Sequence, residues 1–156
     1  MNGRLQGNSW LMVGGCLSLL AALLHIGVII GGPDWYRFFG AGEGMARMAE
    51  RGLWQPVLVT TGITAVLAVW ALYAFAGAGR FRKLPLMRTA LVLVSGIYLA
   101  RGLLIVPILI EPHARTPFNI WSSLIVLIYG LVYAIGTRQV WRDLSQKPAL
   151  IQKEAS

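Results

Sequence analysis

Residues 90–110 read ALVLVSGIYLARGLLIVPILI, an apolar run of 21 residues in which Arg101 is the only charged side chain. A helix rises about 1.5 Å per residue, so a run of this length crosses a hydrocarbon core of about 30 Å. An arginine stays protonated inside proteins, and in hydrocarbon its charge needs a partner or water. Arg101 is therefore the residue that points most directly to a function.

Three more apolar runs of similar length surround this one, and the four predicted spans are 10–31, 54–77, 86–110 and 118–140. Only 13% of the 156 residues are charged and 56% are hydrophobic, whereas soluble domains carry about 25% charged residues. Inside a bilayer, a backbone run of this kind satisfies its hydrogen bonds as a helix. The pattern predicts an all-α integral membrane four-helix bundle, with residues 1–156 as a single membrane domain.

The basic residues indicate how the predicted bundle is oriented. One side carries Arg4, Arg80, Arg82, Lys83, Arg88, Arg138, Arg142, Lys147 and Lys153. The other carries Arg37, Arg47, Arg51 and Arg115, balanced by Asp34, Glu43, Glu50 and Glu111. The positive-inside rule then places both termini of the predicted membrane protein in the cytoplasm. The net charge of +8 flanks apolar runs instead of forming a patch, so no nucleic-acid partner is predicted. The first run exceeds a signal-peptide core and is expected to be a retained span.

The connection between the first two spans, residues 32–53, predicts further structure. Asp34 follows a proline and can cap a short helix that ends at Gly40. The next segment alternates small or apolar residues with charged ones at helical spacing, and Glu43 and Arg47 form a favourable i,i+4 pair. We expect a short amphipathic helix in this first external loop, ended by Gly52. This helix is expected to lie on the outer surface of the membrane, and the plain alternative is that it merely covers the bundle or links the first two spans.

Polar residues collect in the outer half of the predicted spans. They are His25, Thr60, Thr61, Thr64, Tyr98, Arg101, Ser122, Ser123 and Tyr129. No carboxylate lies within any span, so Arg101 is expected to pair either with a loop acid or with an anionic ligand held by its guanidinium. The plain alternative is that Arg101 extends to the headgroups or has a purely structural partner. The predicted ligand-binding set is Arg101, His25, Tyr98, Asp34, Glu43, Trp35 and Tyr129.

Other chemistries have weaker support in the sequence. An external metal site from His25, His113 and Glu111 lacks a ligand spacing typical of metal sites, so neither a metal nor a cofactor is predicted. Ser122 and Ser123 have histidines as conceivable bases, but no nucleophile-elbow motif surrounds them. An enzyme is the less favoured interpretation.

The segment from Gly31 to Glu43, GGPDWYRFFGAGE, with the following MARM, resembles small bacterial inner-membrane proteins of the same length. This resemblance covers most of the chain and implies a location in the bacterial inner (plasma) membrane, but it implies no activity. In size and number of spans the chain is also similar to the DoxX-like four-helix proteins. That similarity concerns architecture and transfers no site residues.

Three functions remain open at this point. The favoured one is a binding or accessory membrane protein whose outward-facing polar pocket around Arg101 holds an anionic small molecule or lipid, or whose surface docks a membrane partner. The second is a small-solute transporter working as a homo-oligomer, since four spans are few for a complete transport path. The third is a membrane-embedded enzyme on a lipid-like substrate, which requires His25 and Arg101 to converge on one cavity.

Overall fold

The computed structural model describes residues 7–82 and 84–145, and these residues form helices and no strand. The helices in chain order are α1 (Ser9–Phe38), α2 (Glu43–Glu50), α3 (Gln55–Gly77), α4 (Met87–Leu103), α5 (Ile105–Ile110) and α6 (Pro117–Val140), with short 3₁₀ turns at Pro112–Ala114 and Asp143–Ser145. Within residues 7–82 and 84–145, four helical stretches, with α4 and α5 counted as one, are long and apolar enough to cross a membrane. For these residues, the prediction of an all-helical architecture with four such stretches is confirmed.

Local sequence explains where the helices begin. The Asn8 side chain accepts a hydrogen bond from the Leu11 backbone N–H at 2.8 Å and caps α1. Thr116 caps α6 in the same way, through the N–H of Asn119 at 3.1 Å. A proline in the first turn of α3 and of α6 costs no helical hydrogen bond at that position.

Two of the long helical stretches are interrupted, the first just beyond the predicted span 10–31 and the second within the predicted span 86–110. In α1, Gly32 adopts φ +67° and ψ −149°, and Pro33 follows it, so the last turns of the helix run in a new direction. Between α4 and α5, the break falls at Leu104. Pro107 accounts for it, because its ring clashes with the carbonyl of Leu103 and it has no N–H to donate. The sequence contained both prolines, yet the third run was predicted as one helix.

The four long helices pack mainly as two pairs, α1 with α3 and α4 with α6, and α1 also contacts α6. Glycines permit the closest approach. A Cβ on Gly102 would lie 2.5 Å from the Leu127 Cα, and one on Gly130 would lie 2.7 Å from the Leu99 backbone nitrogen. Both contacts hold α4 against α6, as small residues do between membrane helices.

The two ends of the bundle differ. We call the end that carries α2 the α2 end, and the opposite one, which carries Asn8 and Gln139, the terminal end. There the Asn8 amide donates a hydrogen bond to the Gln139 side chain at 2.8 Å. The predicted amphipathic loop helix is present as α2, and its Ala46 packs with Val28 and Tyr36 in a small core of its own.

Candidate functional site

Arg101 lies in the last turn of α4, with its side chain exposed on the flank of the bundle beside α6. Its Nη1 donates a hydrogen bond to the Ser123 hydroxyl at 3.0 Å, and its Nη2 lies 3.5 Å from the Ser122 hydroxyl. Ser122 in turn donates to the Asn119 carbonyl at 3.3 Å. We call Arg101, Ser122 and Ser123 the Arg101 site.

The close packing of α4 on α6 creates this site. Gly102 rests against Leu127, which brings the neighbouring Arg101 within reach of the first turns of α6. Ser123 is fully buried, so it fixes one edge of the guanidinium against the bundle. A cation in the last turn of a helix also interacts favourably with the negative end of the helix dipole. The guanidinium is thus held in place by neutral groups.

No described carboxylate lies within ion-pair distance of Arg101, and the loop acids are occupied elsewhere. Arg37 pairs with Glu43 at 2.9 Å, Glu50 at 2.6 Å and Asp34 at 3.4 Å. Arg47 pairs with Glu43 at 3.0 Å. Glu111 accepts a hydrogen bond from the backbone N–H of His113 at 3.4 Å. Of the two partners expected for Arg101, the loop acid is therefore not the one that the structure provides.

The ion pairs of the α2 loop hold the pKa of Glu43 at about 2, below its ordinary value of 4.5, chiefly through the hydrogen bond from Arg37 and then through that from Arg47. A lowered folded-state pKa contributes stability that is fully present above about pH 4.5 and is lost as the pH falls through about 2. The attachment of α2 should therefore persist at pH 4.

We expect the Glu43 carboxyl to titrate near pH 2 when it is followed by carbon-13 NMR of labelled protein. In Arg37→Gln the midpoint should rise toward 4.5, because the largest stabilising partner of the carboxylate is gone. Arg51→Gln is the matched control, since Arg51 has no described ion pair. An unchanged midpoint in Arg37→Gln would contradict the assigned pairing.

Tyr98 and Tyr129 lie in the interior, away from the Arg101 site. The Tyr98 ring packs against Trp70 at a centroid distance of 4.9 Å and against Tyr129 at 5.6 Å. Tyr98 was predicted to belong to the same ligand-binding set as Arg101, which follows it by three residues. Three residues correspond to about 300° of helical rotation, and the remaining offset of about 60° turns Tyr98 inward while Arg101 stays on the flank.

A buried chain of hydrogen bonds that the sequence did not predict connects α1, α3, α4 and α6. Ser18 lies 2.9 Å from the Tyr98 hydroxyl and 2.7 Å from the Tyr133 hydroxyl. Tyr133 donates to the Trp70 carbonyl at 3.3 Å, so one consistent direction runs from Tyr98 through Ser18 to Tyr133 and Trp70. The one hint of this chain in the sequence was Tyr133, which follows Tyr129 by four residues and therefore lies on the same face of α6.

Ser18→Ala should lower the stability of the bundle by about 1–2 kcal/mol, because it removes the described partner of the Tyr98 hydroxyl and one partner of Tyr133. Denaturation in mixed micelles measures the loss. Thr89→Ala, at an exposed hydroxyl of α4 without a described hydrogen bond, serves as the control. Equal stability of the two variants would show that the chain of hydroxyls contributes nothing.

The other predicted site residues also lie apart from Arg101. His25 is half-buried, and its Nδ1 donates to the Ala21 carbonyl of its own helix at 2.8 Å. Trp35 covers Gly31 and packs against Phe39 with a centroid distance of 5.6 Å. Together with Asp34 and Glu43, Trp35 belongs to the α2 loop. The predicted binding set thus separates into a flank site, an interior aromatic cluster and a loop network, with His25 in none of them.

The described residues offer no support for the alternative chemistries. They contain no group of three or more histidine, cysteine or acidic residues that could hold a metal ion. Within the same part of the chain, no hydrogen bond joins Ser122 or Ser123 to a histidine. Two open cavities have volumes of about 570 and 420 Å³, and Arg101 lines neither. The Arg101 site therefore lies on the flank of the bundle, between α4 and α6, and outside both cavities.

Comparisons with known proteins gave no match, so the functional assignment rests on the geometry described above. The chain matches no protein-family model, no curated protein and no solved structure.

Proposed function

We propose that this chain is a multi-pass protein of the bacterial inner membrane, with both termini in the cytoplasm, and that it binds an anionic headgroup at the Arg101 site as a lipid-binding or accessory protein. The observation that carries the proposal is an exposed guanidinium on an apolar flank whose described partners are two neutral hydroxyls. A full positive charge in that setting lacks the neutralising partner that burial in hydrocarbon requires.

The donor geometry supports an anionic group as the missing partner. A guanidinium has five N–H donors in a planar fork, and the serines engage only one edge. The remaining donors suit a phosphate or carboxylate bound through two parallel hydrogen bonds. Ser122 adds a second hydroxyl to the site, since this hydroxyl also lies beside the guanidinium.

The depth of the site also suits a headgroup. Arg101 lies in the last turn of α4, and Ser122 and Ser123 lie in the first two turns of α6, so the Arg101 site lies toward the α2 end of the bundle. In the proposed orientation this direction leads to the headgroups of the outer leaflet, so the position of the site and the binding of an anion are compatible.

The orientation itself is supported by the charges around the two ends. Described basic residues at the terminal end include Arg80, Arg88 and Arg138, while the acids of the α2 end form ion pairs with Arg37 and Arg47. This asymmetry favours a cytoplasmic terminal end. No observation favours the transporter or the enzyme, because the buried hydroxyls of Ser18, Tyr98 and Tyr133 bond to one another and His25 has no described contact with Arg101.

The proposal is tested by native mass spectrometry of full-length protein extracted in a non-ionic detergent and titrated with phosphatidylglycerol, phosphatidylcholine or inorganic phosphate. We expect phosphatidylglycerol to bind more tightly than phosphatidylcholine. Inorganic phosphate should compete if the headgroup alone is recognised and should fail if the acyl chains contribute. Equal binding of the anionic and zwitterionic lipids would overturn the proposal.

A further inference from the structure

A second feature of the α2 end is an open groove of about 570 Å³ between α1, the end of α2 and the start of α3. Its volume lies within the range of about 300–1,000 Å³ that is typical of small-molecule sites. Its walls are mostly apolar and include Ile29, Pro33, Leu53, Val57 and Leu58. Arg101 does not line it, so the groove is separate from the Arg101 site.

The break in α1 shapes this groove. Gly32 has a φ of +67° that other residues adopt only with strain, and the last helical turns of α1 leave it in a new direction. Below the groove, Tyr36 is buried, with its hydroxyl 3.3 Å from Thr60. Pro33 cannot donate a hydrogen bond, so the Ile29 carbonyl lacks its helical partner at the edge of the groove. The backbone at Gly32 and Pro33 therefore forms part of the groove wall.

The surroundings of the groove are apolar on one side and charged on the other. Exposed hydrophobic residues adjoin it on the flank: Ile30 is 81% exposed, Trp54 65% and Leu58 57%. On the other side stands the charged surface of α2. This boundary suits a molecule with an apolar tail and a polar head, such as a lipid.

The charges at the end of α2 indicate which lipid headgroup the groove would favour. Arg37 and Arg47 are neutralised by Glu43 and Glu50. Arg51, which is exposed and directly precedes Gly52 of the groove wall, has no described carboxylate within ion-pair distance. The unpaired cation next to an apolar groove is complementary to an anionic headgroup.

We propose that this groove holds one acyl chain of an anionic phospholipid, whose phosphate lies against Arg51. The acyl chain replaces the water that the apolar walls would otherwise contact, and the phosphate supplies the charge that Arg51 lacks. This site recognises the tail and the head together, whereas the Arg101 site recognises an anionic head alone.

The test uses full-length Arg101→Gln protein, in which the Arg101 site is disabled and the groove remains. Phosphatidylglycerol and phosphatidylcholine are titrated against it by native mass spectrometry. We expect Leu58→Trp, which fills the groove from an exposed position, to weaken binding of both lipids by about tenfold or more. Leu72→Trp, at an exposed position on the same helix outside the groove, should leave binding unchanged.

The headgroup assignment is tested in the same background. Arg51→Gln should weaken phosphatidylglycerol binding by about fivefold and leave phosphatidylcholine unaffected. Arg115→Gln, at an exposed arginine of the same end, is the matched control. Equal binding by Leu58→Trp and Leu72→Trp would overturn the groove proposal, and equal loss of both lipids in Arg51→Gln would overturn its anionic specificity. Either result leaves the proposal for Arg101 to be judged on its own variant.

Discussion

Replacing Arg101 with glutamine is expected to reduce the affinity of the protein for phosphatidylglycerol by about tenfold or more, because a hydrogen-bonded charge is lost from the site. The glutamine side chain would retain hydrogen-bonding capacity but no charge, so binding of phosphatidylcholine should hardly change. The affinity of Arg101→Lys for phosphatidylglycerol should lie between those of the wild type and Arg101→Gln, since an ammonium keeps the charge without the planar fork of donors. These variants are compared by native mass spectrometry in protein that also carries Leu58→Trp. That substitution fills the groove, so lipid binding at the Arg101 site is measured separately.

The matched control is Arg115→Gln, which removes an arginine from the α2 end whose described contact is with the Leu109 carbonyl. It should bind lipid like the wild type. Arg101→Leu should insert into the membrane at least as well as the wild type, because the charge that opposes insertion is gone. Unchanged lipid affinity in both Arg101→Gln and Arg101→Leu, at equal protein level, would reduce the residue to a structural link between α4 and α6.

The second large effect is expected from Gly102→Ala. The added Cβ would lie 2.5 Å from the Cα and 2.7 Å from the backbone nitrogen of Leu127, and backbone atoms cannot rotate away as a flexible side chain can. The α4–α6 pair must separate, at an expected cost of about 2–3 kcal/mol in the free energy of unfolding. The same separation would draw Arg101 away from Ser123, so lipid affinity should fall as well.

Gly96→Ala provides the control for this experiment. Gly96 lies on the same helix, and a Cβ there meets nothing within 4 Å. Its stability should equal or slightly exceed that of the wild type, because alanine is the better helix former. Both variants are compared by denaturation in mixed micelles. If Gly102→Ala proves as stable as Gly96→Ala, the close approach of α4 and α6 is wrong.

The apolar runs were sufficient to predict the long helices because length and hydropathy are local properties. The start of α6 at Pro117 and that of α3 at Gln55 lie within one residue of the predicted positions. The break at Leu104 was missed, since a proline near the end of a run is compatible with either a continuous or an interrupted helix. The presence of α2 was predicted from the spacing of Glu43 and Arg47, which is again a local signal.

The grouping of the site residues could not be predicted in the same way. Which hydroxyls meet Arg101, and which acids meet Arg37, depends on the rotation of each helix about its axis and on the neighbour it faces. Ser18 illustrates this, because its importance comes from two tyrosines that lie 80 and 115 residues away in the chain. A single sequence shows that such groups exist and at what depth, but not which of them touch.

The contacts of α6 have a consequence for the order of assembly. Asn8 hydrogen-bonds to Gln139 across 131 residues, and α4 makes its main contact with α6 rather than with the preceding α3. During synthesis, the faces of α1 and α4 that contact α6 therefore have no helix against them until α6 is made. Until α6 enters, Tyr98 lacks its ring contacts with Tyr129 and Tyr133, and Gly102 lacks the backbone of Leu127 against it, so the insertion of α6 completes the bundle.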